Sequence, residues 1–259
     1  MAEQYKVDRK KLVMVIASAI TLILVLFFTF RKKRSAIKDV IVDIHHLADG
    51  QNDLIKEKDV RLIVNRSQDE KVENKRLEDV DVERIEQVLE QDPFIENAES
   101  FVDATGNLNL KIFQRQPILR IIDNNNLNYY LDKNGVKMPL SKYFSARVPI
   151  VTGAVPPYVS DFLLRKKYTL TQVFNLVQIL NADAFFAPMI QQIVVDAAGE
   201  FTIIPILGDQ KIRIGTLDDI EGKLDRLKIF YKEAMPYEGW KKYNSISVKY
   251  QGQIVCKKK

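Results

Sequence analysis

The residues best suited to chemistry are few: His45 and His46 stand side by side, and Cys256 is the single cysteine. Histidine and cysteine are the usual material of a metal site or of a nucleophile with its base. Neighbours in a strand point to opposite faces, so the two imidazoles cannot readily share an ion. They read as a solvated turn that follows a strand. One cysteine excludes an internal disulfide, and the sequence has no Walker loop, no GxSxG elbow and no GxGxxG turn. The pairs Asp79/Asp81 and Asp218/Asp219 fall at helix starts, where the helix dipole favours negative charge. No catalytic, metal-ligating or cofactor-binding residue is expected, and the chain is read as a non-enzyme that takes no small-molecule substrate. Tyr129 and Tyr130 have the chemistry of a sugar-stacking platform, but strand alternation puts one of them in the core and one outside. Trp240 either caps the end of a sheet or anchors an interface.

The elements around these residues begin with an apolar run. Leu12 to Phe30 carries no charge, and 19 residues at ~1.5 Å each span about 28 Å, close to the ~30 Å hydrocarbon core of a bilayer. The polar members Ser18, Thr21 and Thr29 can bond their own helix carbonyls. Arg31-Lys32-Lys33-Arg34 follows the run, the wrong flank for signal cleavage, so an uncleaved transmembrane anchor is expected. Charge does not orient it. Lys6, Arg9, Lys10 and Lys11 precede the span, and Arg31, Lys32, Lys33, Arg34 and Lys38 follow it.

The isoelectric point of about 9.0 belongs to this flank. Residues 1–34 hold eight basic and two acidic residues, while the rest holds 31 basic and 32 acidic ones. Nucleic-acid binding through a basic face is therefore not expected.

Beyond the anchor, "SAIKDVIVDI" reads as a strand and "KEKDVRLIVN" as a short helix, with Val60, Ile63 and Val64 on one face. Residues 67–79 read as a loop. Val82, Ile85, Val88 and Leu89 mark a helix capped by Asp81 and stopped before Pro93. Thr105-Gly106-Asn107 turns into a strand with Leu108, Leu110 and Ile112 on one side. Strand, helix, helix, strand, strand within about 80 residues suits a three-stranded sheet covered by two helices. From Ile118 onward strands dominate. They are interrupted by a helix with Val173, Phe174, Val177 and Leu180 facing inward. A second helix carries Leu217, Ile220, Leu224 and Leu227, with Thr216 as its cap. Pro205 implies an edge position or a bulge in the middle strand of residues 191–215. The last strand places Ile246, Val248 and Tyr250 on one face.

This order resembles the FtsQ/DivIB family of bacterial division proteins. The similarity is strongest in "VERIEQVLEQDPFIENAES", "GNLNLKIFQRQPILRI", "NYYLDKNGVKMPLS", "RVPIVTG", "RIGTLDDIEGKLDRL" and "SISVKY". The stretch "YYLDKNGVKMPLS" is most similar to the Bacteroidetes version. One departure is that Ser247-Val248-Lys249-Tyr250 stands where the family commonly reads Asp-Leu-Arg-Tyr.

The resemblance implies an α+β chain with four parts. These are a cytoplasmic tail (1–11), one transmembrane helix (12–30), a POTRA-like domain of three strands and two helices (35–116), and a mostly antiparallel β domain with helices (117–259). It implies a single-pass inner-membrane scaffold at the division septum, with its bulk in the periplasm. This scaffold would bind FtsB, which travels with FtsL, and the POTRA-like part would receive other division proteins. The partner-binding residues so implied are Ile246, Ser247, Val248, Lys249 and Tyr250, then Gln253, Ile254, Val255 and Cys256 on a final short strand, with Trp240 nearby. The carboxyl-terminal sheet rim would be left open, and Lys249 would attract acidic residues of the partner. Two other readings compete: a secretion or assembly factor, which would need several POTRA repeats or a β-barrel pattern, and a periplasmic wall hydrolase or glycan binder.

Overall fold

A computed structural model describes residues 9–33, 36–47, 52–68, 71–208 and 210–259. Residues 1–8 of the expected tail lie outside the described residues. The helix α1 covers Arg9–Lys33. Within it Ser18 Oγ donates to the Val15 carbonyl (2.9 Å) and Thr21 Oγ1 to the Ala17 carbonyl (3.0 Å), so both hydroxyls are satisfied inside the helix. The side chain of Thr29 lies outside the described residues.

Every side chain described in α1, Val13 to Leu26, is exposed. Among the described residues no helix is long and apolar enough to cross a membrane. The ends of the expected span, Leu12 and Phe27 to Phe30, have side chains outside the described residues.

The chain divides into two compact units, Met1–His45 with Ile55–Phe113, and His46–Leu54 with Gln114–Lys259. The first contains β1 (Val40–His45), α2 (Glu57–Ser67), α3 (Val82–Glu90), β2 (Ile95–Val102) and β3 (Leu108–Gln114). Its sheet has the order β1-β3-β2. β1 runs parallel to β3 in the register Val40↔Leu108 to His45↔Phe113. The alternation of β3 sends Leu108, Leu110 and Ile112 into a core with Val60 and Val64 of α2 and Ile85 and Leu89 of α3. Asp81 caps α3 by accepting the Arg84 N–H at 2.9 Å. The stretch read as a loop carries two 3-10 turns, Val72–Asn74 and Leu77–Asp79.

The second unit holds β4 (Pro117–Ile122), β5 (Asn128–Asp132), β6 (Lys137–Met138), β7 (Ile150–Gly153), α4 (Thr169–Ala182), β8 (Ile190–Val195), β9 (Phe201–Pro205) and β10 (Lys211–Gly215). It continues through α5 (Ile220–Ile229), α6 (Met235–Glu238), β11 (Tyr243–Ser247) and β12 (Val255–Lys258). The nine strands form one sheet in the order β12-β11-β10-β9-β8-β7-β4-β5-β6. β10–β11, β4–β7 and β7–β8 are parallel and the other five pairs antiparallel, so the sheet is mixed. Inward residues of all the longer strands meet α4 and α5 in one core, with Leu176, Leu180, Leu224 and Leu227 buried.

Two expectations change, and the alternatives for Pro205 resolve to one of those foreseen. The second amphipathic helix starts at Ile220, because Asp219 sits in the left-handed region (φ 51°) and ends any helical path through Thr216. Thr216 Oγ1 instead bonds the Asp218 carboxylate at 2.8 Å. Pro205 ends β9, an interior strand, opposite a register shift at Ile190/Gln192, so the bulge and not the edge accommodates it. Both tyrosines at 129 and 130 are buried. The Tyr130 hydroxyl accepts the Ala146 N–H at 3.1 Å, because the segment before β7 folds over that side of β5.

Candidate functional site

The two histidines go separate ways. His45 ends β1 and stacks on Phe113 with ring centroids 4.3 Å apart. His46 belongs to the second unit, with Nδ1 2.9 Å from Asp53 Oδ1. Among the described residues no group of three or more His, Cys, Asp or Glu side chains is placed to hold a metal ion.

The residues expected to bind a partner lie at the carboxyl-terminal side of the nine-stranded sheet. β11 lies between β10 and β12. It faces β10 in the register Lys211↔Ser245 and Arg213↔Ser247, and β12 in the register Ser245↔Lys257, Ile246↔Cys256 and Ser247↔Val255. Of the two strands expected at the partner-binding rim, β11 is thus interior and β12 is the rim. Ile246 and Val248 are fully buried. The Val248 N–H donates to the Arg213 carbonyl at 3.0 Å. A proline at 248 would break this bond inside the core and could not test docking alone.

That same bond fixes which backbone groups point outward. In a parallel ladder the Arg213 carbonyl is flanked by residues 246 and 248, so the N–H and C=O groups of Ser245 and Ser247 turn toward β12. Their opposite residues, Lys257 and Val255, answer them. The N–H and C=O groups of Cys256 and Lys258 therefore point away from the sheet. An added strand would pair with these groups.

The side chains sort in the same way. Val255, at 47 % exposure, and Lys257 stand on the face that carries Ser245 and Ser247. Cys256 and Ile254 pack partly against the core. Burial, and then the Glu238 carboxylate, push the Cys256 thiol up. Gln253 is exposed in the loop before β12, and Tyr250 is exposed in the turn after β11. Lys249, expected to reach for a partner, is ion-paired with Glu200 of its own chain, and that hydrogen bond pushes its ammonium up. The stem of Lys249 lies over Gly215, where an added Cβ would lie 2.9 Å from the Lys249 Cγ.

Trp240 packs against Tyr231, with centroids 5.8 Å apart, and remains 43 % exposed. Tyr231 in turn takes a bond from Gln210 Nε2 at 3.0 Å. Sequence reasoning missed the polar cluster beside Trp240, where Glu238 accepts from Lys242 and from the Tyr243 hydroxyl (3.0 Å). Those two bonds hold the Glu238 carboxyl below its usual range. The i, i+4 spacing of Glu238 and Lys242 was the available signal. Also missed was that Lys257 and Lys258 belong to a paired strand.

A family profile described as FtsQ/DivIB, C-terminal related, matches residues 116–257, more than half of the chain. A second profile, described as a POTRA-like domain, matches residues 37–113. No curated protein matches the chain.

Proposed function

Since the chain belongs to the FtsQ/DivIB family, whose members are division proteins, we propose that it is a division scaffold that acts by binding. The observation that carries this reading is the rim strand β12, whose Cys256 and Lys258 backbone groups point away from the sheet beside an exposed Val255. An extended segment of FtsB, travelling with FtsL, adds to this edge as a further strand. Main-chain bonds supply much of the affinity and the outward side chains supply selectivity. Trp240, Tyr250 and Gln253, all exposed on the same carboxyl-terminal segment, extend the contact. Ile246, Ser247 and Val248 serve as the platform beneath β12.

The helix Arg9–Lys33 anchors the chain in the inner membrane, supported by its uncharged stretch and by exposed apolar side chains from Val13 to Leu26. Residues 1–11 then lie in the cytoplasm, and both compact units lie in the periplasm, where the POTRA-like unit receives other division proteins. Holding FtsB and FtsL at the septum places the start of septal wall synthesis under this protein's control.

Cys256→Pro tests the docking. It removes an outward N–H while the β11–β12 ladder, made by Val255 and Lys257, stays intact, and proline is tolerated on such an edge. FtsB capture by the membrane-embedded full chain should fall at least tenfold, while the chain still melts in one cooperative transition for the second unit and loses only the small contact of the partly buried thiol. Undiminished capture with the fold preserved removes the edge from the interaction.

A further inference from the structure

An open edge strand joins any other open edge, including the same edge on a second copy. β12 is four residues long, and its sequence is Val255-Cys256-Lys257-Lys258, with Lys259 next. Lys257 and Lys258 are exposed. The lysines lie on the rim itself, one on each face of the sheet. Lys257 shares its face with Ser245, and Lys258 lies near Glu238, which is already bonded to Lys242 and Tyr243.

Two copies meeting edge to edge with their helices on one face must pair antiparallel about a single residue. Pairing about Lys257 sets Lys257 directly against its own copy, with Cα atoms about 5 Å apart. Pairing about Lys258 opposes the two Lys258 side chains and crosses Lys257 with Lys259. Of the registers that pair β12 over at least three of its residues, pairing about Cys256 alone avoids direct opposition of Lys257 or Lys258, and it still crowds six lysines into two adjacent strands. Like charges directly opposite in a sheet are destabilising.

We infer that Lys257 and Lys258 guard the rim against a second copy of this chain and admit only a strand that carries acidic side chains at the matching positions. The register states the admitted pattern. On the Ser-lined face an antiparallel partner meets Lys257 first and Val255 two residues later, so it reads acidic–x–apolar. This deepens the docking proposal and rests on it for the partner. The guard itself is measured without any partner.

The probe is Cys256, the only cysteine, at the centre of the permitted homotypic register. Full-length chain in detergent is oxidised with copper-phenanthroline, and Cys256–Cys256 dimers are quantified. A Cys256→Ser, Ala198→Cys chain, with its cysteine in the exposed β8–β9 turn, serves as the reference. The wild type should cross-link slowly at low salt and several-fold faster at 1 M salt, where the screening length falls to about 3 Å. Lys257→Ser/Lys258→Ser should cross-link fast at either salt, with the reference rate unmoved by the same serine changes. Mixed with the wild type, a Lys257→Glu/Lys258→Glu chain should give mixed dimers in preference to either homodimer. A serine variant that cross-links no faster than the wild type overturns the guard. So does an equal rise in the reference, or a mixture without preference for mixed dimers. Loss of FtsB capture in Cys256→Pro with no guard effect would leave docking standing and sink this inference alone.

Discussion

Replacing Arg115 by alanine should destabilise the second unit more than any other single charge deletion within it. Arg115 Nη1 lies 2.9 Å from Asp132 Oδ2, with side-chain exposures of 13 % and 1 %. The other oxygen, Oδ1, accepts the N–H groups of Asn134 (2.8 Å) and Val136 (2.7 Å) and so closes the hairpin between β5 and β6. In Arg115→Ala the carboxylate stays buried and loses its counter-charge. Removing one partner of a buried pair costs about 3–5 kcal/mol. At about 2–4 °C per kcal/mol for domains of this size, the melting temperature should fall by roughly 6–20 °C. Asp132→Asn keeps an acceptor for the two backbone donors, and Arg115, partly exposed, can turn to water, so its cost should be nearer 1–3 kcal/mol. Scanning calorimetry of the full chain in detergent should show the transition of the second unit move while that of the first stays. An Arg115→Ala melting temperature within about 2 °C of the wild type would refute the reasoning. An Asp132→Asn cost equal to that of Arg115→Ala would assign the effect to the turn and not to the charge.

Gly153→Ala should be severe, because Gly153 has φ 98° and an added Cβ would lie 2.0 Å from the Val195 carbonyl oxygen. The left-handed backbone alone costs about 1–3 kcal/mol, and the β7–β8 ladder must also shift, so denaturant titration should show a lower midpoint at unchanged slope. The bonds from Lys242 and Tyr243 that lower the Glu238 carboxyl in the folded state make a pH-dependent contribution. A depressed carboxyl stabilises above its unfolded pKa and loses that contribution as pH falls through the folded one. The gap in melting temperature between the wild type and Glu238→Gln should therefore be open at neutral pH and close on acidification. A gap that stays constant with pH would show that charge plays no part.

Local pattern was enough for most of the fold. The 3.6-residue spacing of Val82, Ile85 and Leu89, the cap at Asp81 and the alternation of β3 each describe a half-buried element whose environment follows from its own sequence. Pairing across long separations was less legible. β7 runs parallel to both β4 and β8, and its four residues carry no sign of where they insert. A repeated device went unread: Asp103, Asp123, Asp132 and Asp196 each accept N–H groups two and four residues on through Oδ1. At the position between these two donors stand Gly106, Asn126, Gly135 and Gly199, all with positive φ. The pattern Asp-x-x-Gly/Asn, four times over, marks four hairpin turns made the same way.

The rim was only partly legible, for a reason built into edge strands. "SISVK" alternates apolar and polar residues, as a strand with one buried face should, and reads as part of the open rim together with the final short strand. Its burial depends on β10 and β12, contributed by residues far away or past a turn, and period-two alternation is the same in an interior strand and at an edge. "VCKK" has little β-forming composition and looks like a charged tail. Yet lysine is what a rim strand needs if it is to stay free of unwanted neighbours. The composition that hid Lys257 and Lys258 as part of β12 is the composition that suits it to be the last strand. In the proposed docking, recognition divides between two layers. Ile246 and Val248, wholly buried, would hold the platform rigid, and the outward Cys256 and Lys258 backbone groups would accept the guest. Substitutions in the first layer should change stability and binding together, whereas substitutions in the second should change binding alone.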